Sequence, residues 1–226
     1  MIRPGLRGLV LDLRINGGGS DALALQVAER LTDRAYVAYA KRARNDPTDP
    51  GRHTHPQPVR VRPAPDRFRY TGPVAVLTGG ETYSAGETLT QALIQRPART
   101  VRIGQNTQGV FSDVLERILP NGWTFGLPNE EYLTPSDGKT FDGEGIPPDI
   151  RTGNFVQEIA KGTHDSAFAQ ALAVIRAKPS SAALAPPARQ QCRRPGAVST
   201  SVPSDAPLCG RGLRQQAAES QWETLP

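Results

Sequence analysis

The run Pro73-Val-Ala-Val-Leu-Thr78-Gly-Gly80 constrains this chain more than any other stretch. Residues 74–78 lack polar alternation, so a strand here is covered on both faces, as strands of parallel sheets are. Two glycines end the run, and Thr88-Leu-Thr-Gln-Ala-Leu-Ile94 continues at helical spacing. A buried strand feeding a helix is the unit of an α/β fold.

Between strand and helix lies Glu81-Thr-Tyr-Ser84-Ala85-Gly86-Glu87. Two readings of Ser84 follow from its place. As an N-cap, Ser84 satisfies an orphan amide, and Glu87 three residues on completes a capping box. As a nucleophile, Ser84 stands at the carboxyl edge of a sheet, where helix N-terminal amides favour developing negative charge.

A second junction reads Gly8-Leu-Val-Leu-Asp12-Leu-Arg14-Ile-Asn16-Gly17-Gly18-Gly19. An apolar run of strand length breaks into three glycines, and a helix over residues 22–31 follows, capped by Ser20 or Asp21. Bare glycine amides can approach a substrate closely, so Gly19 is either a plain turn glycine or part of a site. A phosphate cradle is not indicated, because neither the P-loop spacing nor GxGxxG is present.

Together these pieces resemble the tail-specific, or C-terminal-processing, serine peptidases, whose catalytic domain is related to the tricorn protease core. The matching stretches are residues 8–19, residues 74–87, Val101-Arg-Ile-Gly-Gln-Asn-Thr-Gln-Gly109, Leu119-Pro-Asn-Gly-Trp123, Pro135-Ser-Asp-Gly138 and Phe141-Asp-Gly-Glu-Gly-Ile-Pro-Pro-Asp-Ile150. The resemblance covers roughly residues 5–176 and is specific through order and spacing rather than through any one piece. It implies that Ser84 is the nucleophile and that the amides of Gly19 and Ala85 form the oxyanion hole. It also implies an α/β crotonase/ClpP-like spiral of ββα units and a polypeptide substrate.

Two departures bear on the general base. In the commonest branch a lysine follows the Gly-x-Thr-x-Gly turn, whereas here Val110 stands in its place, and valine cannot accept a proton. The tricorn-like branch instead pairs a histidine with a glutamate in the last motif. Asp142 falls on that glutamate position, one methylene short, with Glu144 nearby; its plainer reading is a solvated turn acid. The family's histidine comes from a segment before the Asp12-Leu-Arg14 strand, and Gly8 is only seven residues from Met1. The histidines His53, His55 and His164 read as surface residues, with His53 and His55 first in line as replacement bases.

Composition refines the organisation. The 21 prolines and 22 glycines of the 226 residues concentrate outside the strand and helix patterns. Residues 41–69 read as a solvated, mobile loop with eight basic and three acidic residues. The net charge of +5 comes without any nucleic-acid motif, so no specific nucleic-acid partner is expected. From residue 179 the chain turns rich in Pro, Ser, Ala and Gln, which implies one domain over residues 1–178 and a disordered tail over 179–226. The cysteines, Cys192 and Cys209, lie in that tail and form no disulfide framework. No metal-ligand cluster and no cofactor motif is legible. No transmembrane run or signal peptide is read, although resembling proteins are commonly exported.

The pattern predicts strands at 9–13, 35–40, 74–78, 100–103, 114–119, 123–127 and 131–133. It predicts helices at 22–31, 85–94 and 166–176, with a turn over 142–149. Two functions fit: a serine peptidase domain acting through a Ser84 acyl-enzyme, or a non-catalytic remnant keeping a peptide-binding groove.

Overall fold

A computed structural model describes residues 5–177; the readings made for the 179–226 tail and its two cysteines lie outside the described residues. The elements are β1 (Leu9–Asp12), α1 (Asp21–Glu29), β2 (Tyr36–Ala43), β3 (Gln57–Val61), β4 (Val74–Thr78), α2 (Ala85–Ile94) and β5 (Thr100–Gly104). They continue as β6 (Val114–Ile118), β7 (Thr124–Pro128), β8 (Glu130–Leu133), β9 (Ile150–Arg151), α3 (Phe155–Ala160) and α4 (Ser166–Arg176).

β4 lies inside a parallel sheet of order β1-β4-β5-β9. Its five residues are all buried, with Val74 aligned to Leu9 on one side and to Thr100 on the other. Successive side chains of a strand point to opposite faces, and β4 divides accordingly. Val74 and Val76 join a core with Ala24, Ala28, Leu89 and Leu93 of α1 and α2. Ala75 and Leu77 pack instead with Ala167 and Ala171 of α4. The alanines let α4 lie close on the sheet, so β4 is covered on both faces by helices.

A second sheet, antiparallel and of order β3-β2-β8, adds Ala38, Tyr39, Val61 and Tyr132 to the α1/α2 side of the core. It corrects the expectation of a mobile loop over 41–69. β2 runs on to Ala43, β3 pairs with it from Tyr36↔Val61 to Lys41↔Gln57, and Arg44 bridges His53. The charges that suggested a solvated loop are matched by acids from elsewhere. Lys41 Nζ lies 2.7 Å from both Asp113 and Glu130, and Arg42 lies 2.6 Å from Glu131.

β6 and β7 form a separate hairpin. Besides β3, two short elements escaped the sequence reading: β9, two residues paired with β5, and α3, six residues started by Asn154 accepting from Gln157 N at 3.0 Å. Neither is long enough to carry a period. Among the described residues no helix is long and apolar enough to cross a membrane.

Candidate active site

Because β1 and β4 are parallel neighbours, the turns leaving them emerge at the same edge of the sheet. Thr82 Oγ1 donates to Leu13 O at 2.6 Å, and Tyr83 N donates to Asn16 O at 3.1 Å, tying the two turns together. Ser84 therefore meets the glycine turn. A Cβ built on Gly18, whose φ is +88°, would lie 2.6 Å from Ser84 Cβ and 3.0 Å from its Oγ.

Ser84 itself has φ 53° and ψ −125°, outside the regions that L-residues favour. Such a backbone costs on the order of 1–3 kcal/mol and persists only where the surroundings enforce it. Here Ser84 N donates to Val110 O at 3.0 Å, while Ser84 O accepts from Glu87 N at 2.8 Å and Thr88 N at 3.1 Å. The capping-box reading is overturned in its first half, since the Ser84 side chain caps no amide of α2. At this φ and ψ the hydroxyl does not turn back over the helix, and among the described residues Ser84 Oγ has no hydrogen-bond partner.

The amides beside it differ in what they do. Gly18 N donates to Asn16 Oδ1 at 2.9 Å and is occupied. Gly19 N and Ala85 N have no acceptor among the described residues. Both border an open groove of about 290 Å³ whose apolar wall is Leu23, Val27 and Leu89. α2, buried along nearly all its length, aims its N-terminal dipole at this point.

Glu87 faces the other way. It is fully buried, with Oε1 accepting from Gly109 N at 2.8 Å and Oε2 from Val110 N at 2.7 Å. Burial pushes its carboxyl above the ordinary carboxylate value, although bonds from the Thr107 hydroxyl, these two amides and the Ser84 amide work against the rise. The Ser84 contact keeps the second half of the capping box, and the two strap amides add a long-range clamp to it.

Asp142 is exposed, and its Oδ1 accepts from Phe111 N at 3.3 Å. Since Ser84 N binds Val110 O and Gly143 N binds Gly109 O at 2.8 Å, Ser84 and Asp142 are brought to opposite sides of one strap, residues 107–111. No hydrogen bond joins them directly. Val110, at the position of the expected lysine, is 50% exposed, so a side chain there is open to solvent rather than packed away.

Residues 1–152 match the profile of Peptidase family S41. The chain belongs to that family. A curated relative, a carboxy-terminal-processing protease of Bartonella bacilliformis, is 31% identical over 160 residues, covering 70% of this chain and 33% of its own length. A solved Parabacteroides merdae protein superposes with a TM-score of 0.66 at 27% identity, over 76% of this chain and 52% of that one. The photosystem II D1 C-terminal processing protease, at 24% identity and a TM-score of 0.51, shares the fold over 72% of this chain and 40% of that one. The chain thus spans a third of the curated relative and about half of the P. merdae protein.

In this S41 domain the histidines are not at the serine. His53 is held in the second sheet, its Nδ1 2.9 Å from Gly51 O and its Nε2 3.2 Å from Glu131 Oε1. His55 and His164 are exposed. Among the described residues none of the three contacts Ser84 or Asp142 through a hydrogen bond or ion pair. Residues for which the sequence suggested no such role organise these turns. Asn16 holds Tyr83 with its carbonyl and Gly18 with its side chain. Asp21 accepts from Thr88 Oγ1 at 2.8 Å and Tyr132 Oη at 2.9 Å, joining α1, α2 and β8. Tyr132 lies 111 residues away in sequence, so no local signal marks the pair.

Proposed function

We propose that this domain hydrolyses peptide bonds through a Ser84 acyl-enzyme. The observation that carries the reading is the strained, unbonded Ser84 hydroxyl set beside two amides without acceptors, those of Gly19 and Ala85. In acylation Ser84 Oγ attacks the scissile carbonyl carbon, its proton passes to a general base, and the base returns that proton to the departing amine. The carbonyl oxygen, negative in the tetrahedral intermediate, receives hydrogen bonds from Gly19 N and Ala85 N; removing one such donor typically costs about 10²–10³-fold in rate. Water then cleaves the ester. The base is contributed from outside residues 5–177, and Asp142, beyond the strap, orients it. The substrate is a polypeptide whose side chain next to the scissile bond lies in the Leu23–Val27–Leu89 groove.

The half-exposed valine at position 110 favours a second reading, a non-catalytic domain that binds polypeptide in the same groove. Incubating the full chain with unfolded casein, with Ser84→Ala in parallel, separates the two. Cleavage abolished by the substitution supports the enzyme. Casein binding that both proteins share, without cleavage, supports the binding module, and the absence of both cleavage and binding overturns both readings.

A further inference from the structure

Glu87 is a buried carboxylate without a cationic partner among the described residues. Such a charge is costly to keep, and an apolar residue of similar volume is often neutral or better for stability. Its compensation comes from neutral donors: the Gly109 and Val110 amides, one to each oxygen, the Thr107 hydroxyl and the Ser84 amide, so Glu87 reaches the serine backbone directly as well as through the strap. Two successive amides facing one anion make a small cationic nest, and here the anion is built into the protein.

The nest is fixed from behind as well. Gly109 has φ +82°, and a Cβ there would stand 2.7 Å from Gly145 N and 2.8 Å from Gly143 C, so the strap lies flush against the 142–146 turn. Thr107 N donates to Ile146 O at 3.2 Å, and Ile146 N returns a bond to Thr107 Oγ1 at 2.6 Å. Because that hydroxyl oxygen accepts from Ile146, its proton is free to point at Glu87. The strap in turn holds the Ser84 amide through Val110 O and the Asp142 carboxylate through Phe111 N. One side chain of α2, three residues past the serine, thus sets the strap that reaches both members of the site.

We infer that Glu87 is the positioning residue of this site, fixing the 107–111 strap and through it the backbone of Ser84 and the reach of Asp142. The inference rests on the Ser84 peptidase reading for its catalytic consequence but not for its structural one. Glutamine in place of Glu87 keeps the volume, yet its amide end meets a strap N–H donor to donor. Aspartate keeps the charge but withdraws both oxygens by about one carbon–carbon bond, roughly 1.5 Å.

The test is amide hydrogen exchange by NMR on the full chain, with turnover of a peptide substrate measured beside it. In the unaltered protein the Gly109 and Val110 amides exchange slowly despite the exposure of Val110; fast exchange there overturns the inference without any variant. In Glu87→Gln and Glu87→Asp these amides exchange about 10–100-fold faster, the scale of a lost charge-assisted bond, while amides of α4 keep their protection. With the peptide, kcat falls by about 10–100-fold and KM stays within about twofold, the split of a group that acts on the transition state rather than on binding. Unchanged exchange, or faster exchange with unchanged kcat, overturns the inference. If the unaltered protein shows no Ser84-dependent turnover, the peptidase reading alone falls, and exchange at Gly109 and Val110 still decides whether Glu87 holds the strap.

Discussion

Gly18→Ala is the substitution that most directly probes how Ser84 is held. Two costs add. The alanine must adopt φ near +88°, a left-handed backbone costing about 1–2 kcal/mol for an L-residue. Its methyl would also sit 2.6 Å from Ser84 Cβ, about 1 Å inside ordinary contact, and Ser84 cannot retreat because Val110 O and the first turn of α2 fix its backbone. Overpacking of that kind adds about 1–3 kcal/mol. The sum, about 3 kcal/mol, lowers the melting temperature by about 6–12 °C in a domain of this size. Gly19→Ala is the control. It carries the backbone cost alone, since at φ +135° a methyl meets nothing within 4 Å, and it should lower melting by about 2–8 °C. Ser84→Gly removes the atoms Gly18→Ala would strike, so the two substitutions together should cost at least about 1 kcal/mol less than their sum. Calorimetry of the unaltered protein and these four variants decides it. If Gly18→Ala costs no more than Gly19→Ala, or if it is additive with Ser84→Gly, the close approach of the glycine turn to the serine is wrong.

Three further outcomes are expected. Val110→Lys places an ammonium on the strap whose carbonyl holds Ser84, and labelling of Ser84 by a fluorophosphonate should rise by about 10²–10⁴-fold, the usual worth of a general base; labelling at the original rate refutes this. Asp165→Asn keeps the cap on Phe168 N but removes the ion pair 2.7 Å from the buried Arg14. Partial burial pushes the Asp165 carboxyl up, but the Arg14 and backbone bonds outweigh it and hold the group below its ordinary value. A lowered folded-state value gives stability that is present above the unfolded pKa of about 3.9 and lost as pH falls through the folded one. The substitution should therefore cost about 1–2 kcal/mol at pH 7 and progressively less as the pH falls below about 3.9, and an equal loss across that acid range by thermal unfolding contradicts the pairing. Gly104→Ala should unfold the domain outright in circular dichroism, because its Cβ would stand 2.1 Å from Thr78 O, between β4 and the buried end of β5; a folded variant refutes the close β4–β5 edge.

Much of the parallel sheet was legible because its signals are local. The expected strand 74–78 and helices 85–94 and 166–176 coincide with β4, α2 and α4. A continuous apolar run and a 3.6-residue period each arise within a single element. The second sheet was less so. β3, Gln57-Pro-Val-Arg-Val61, alternates with arginine and proline and looks like loop until β2 pairs with it. Its neighbourhood is neutralised by Asp113, Glu130 and Glu131, acids that the sequence keeps roughly 70–90 residues away.

The same division holds at the site. The order of motifs singled out Ser84, Gly19, Ala85 and Asp142, because spacing along a chain survives in sequence. What each neighbour does was decided only in three dimensions. Glu87 has the spacing of a capping box and keeps its contact to the Ser84 amide, yet it also clamps amides 22 and 23 residues away, and the box lacks its other half because the Ser84 hydroxyl caps no amide. Gly18 and Gly19 are identical letters; one abuts the serine with its amide occupied, and the other keeps its amide open. The sequence by itself determined the elements and the candidate chemistry, since propensity and periodicity are short-range. Which amides stay free, which carboxylate is buried and what holds the serine in strain depended on contacts between distant segments, which only the folded chain brings together.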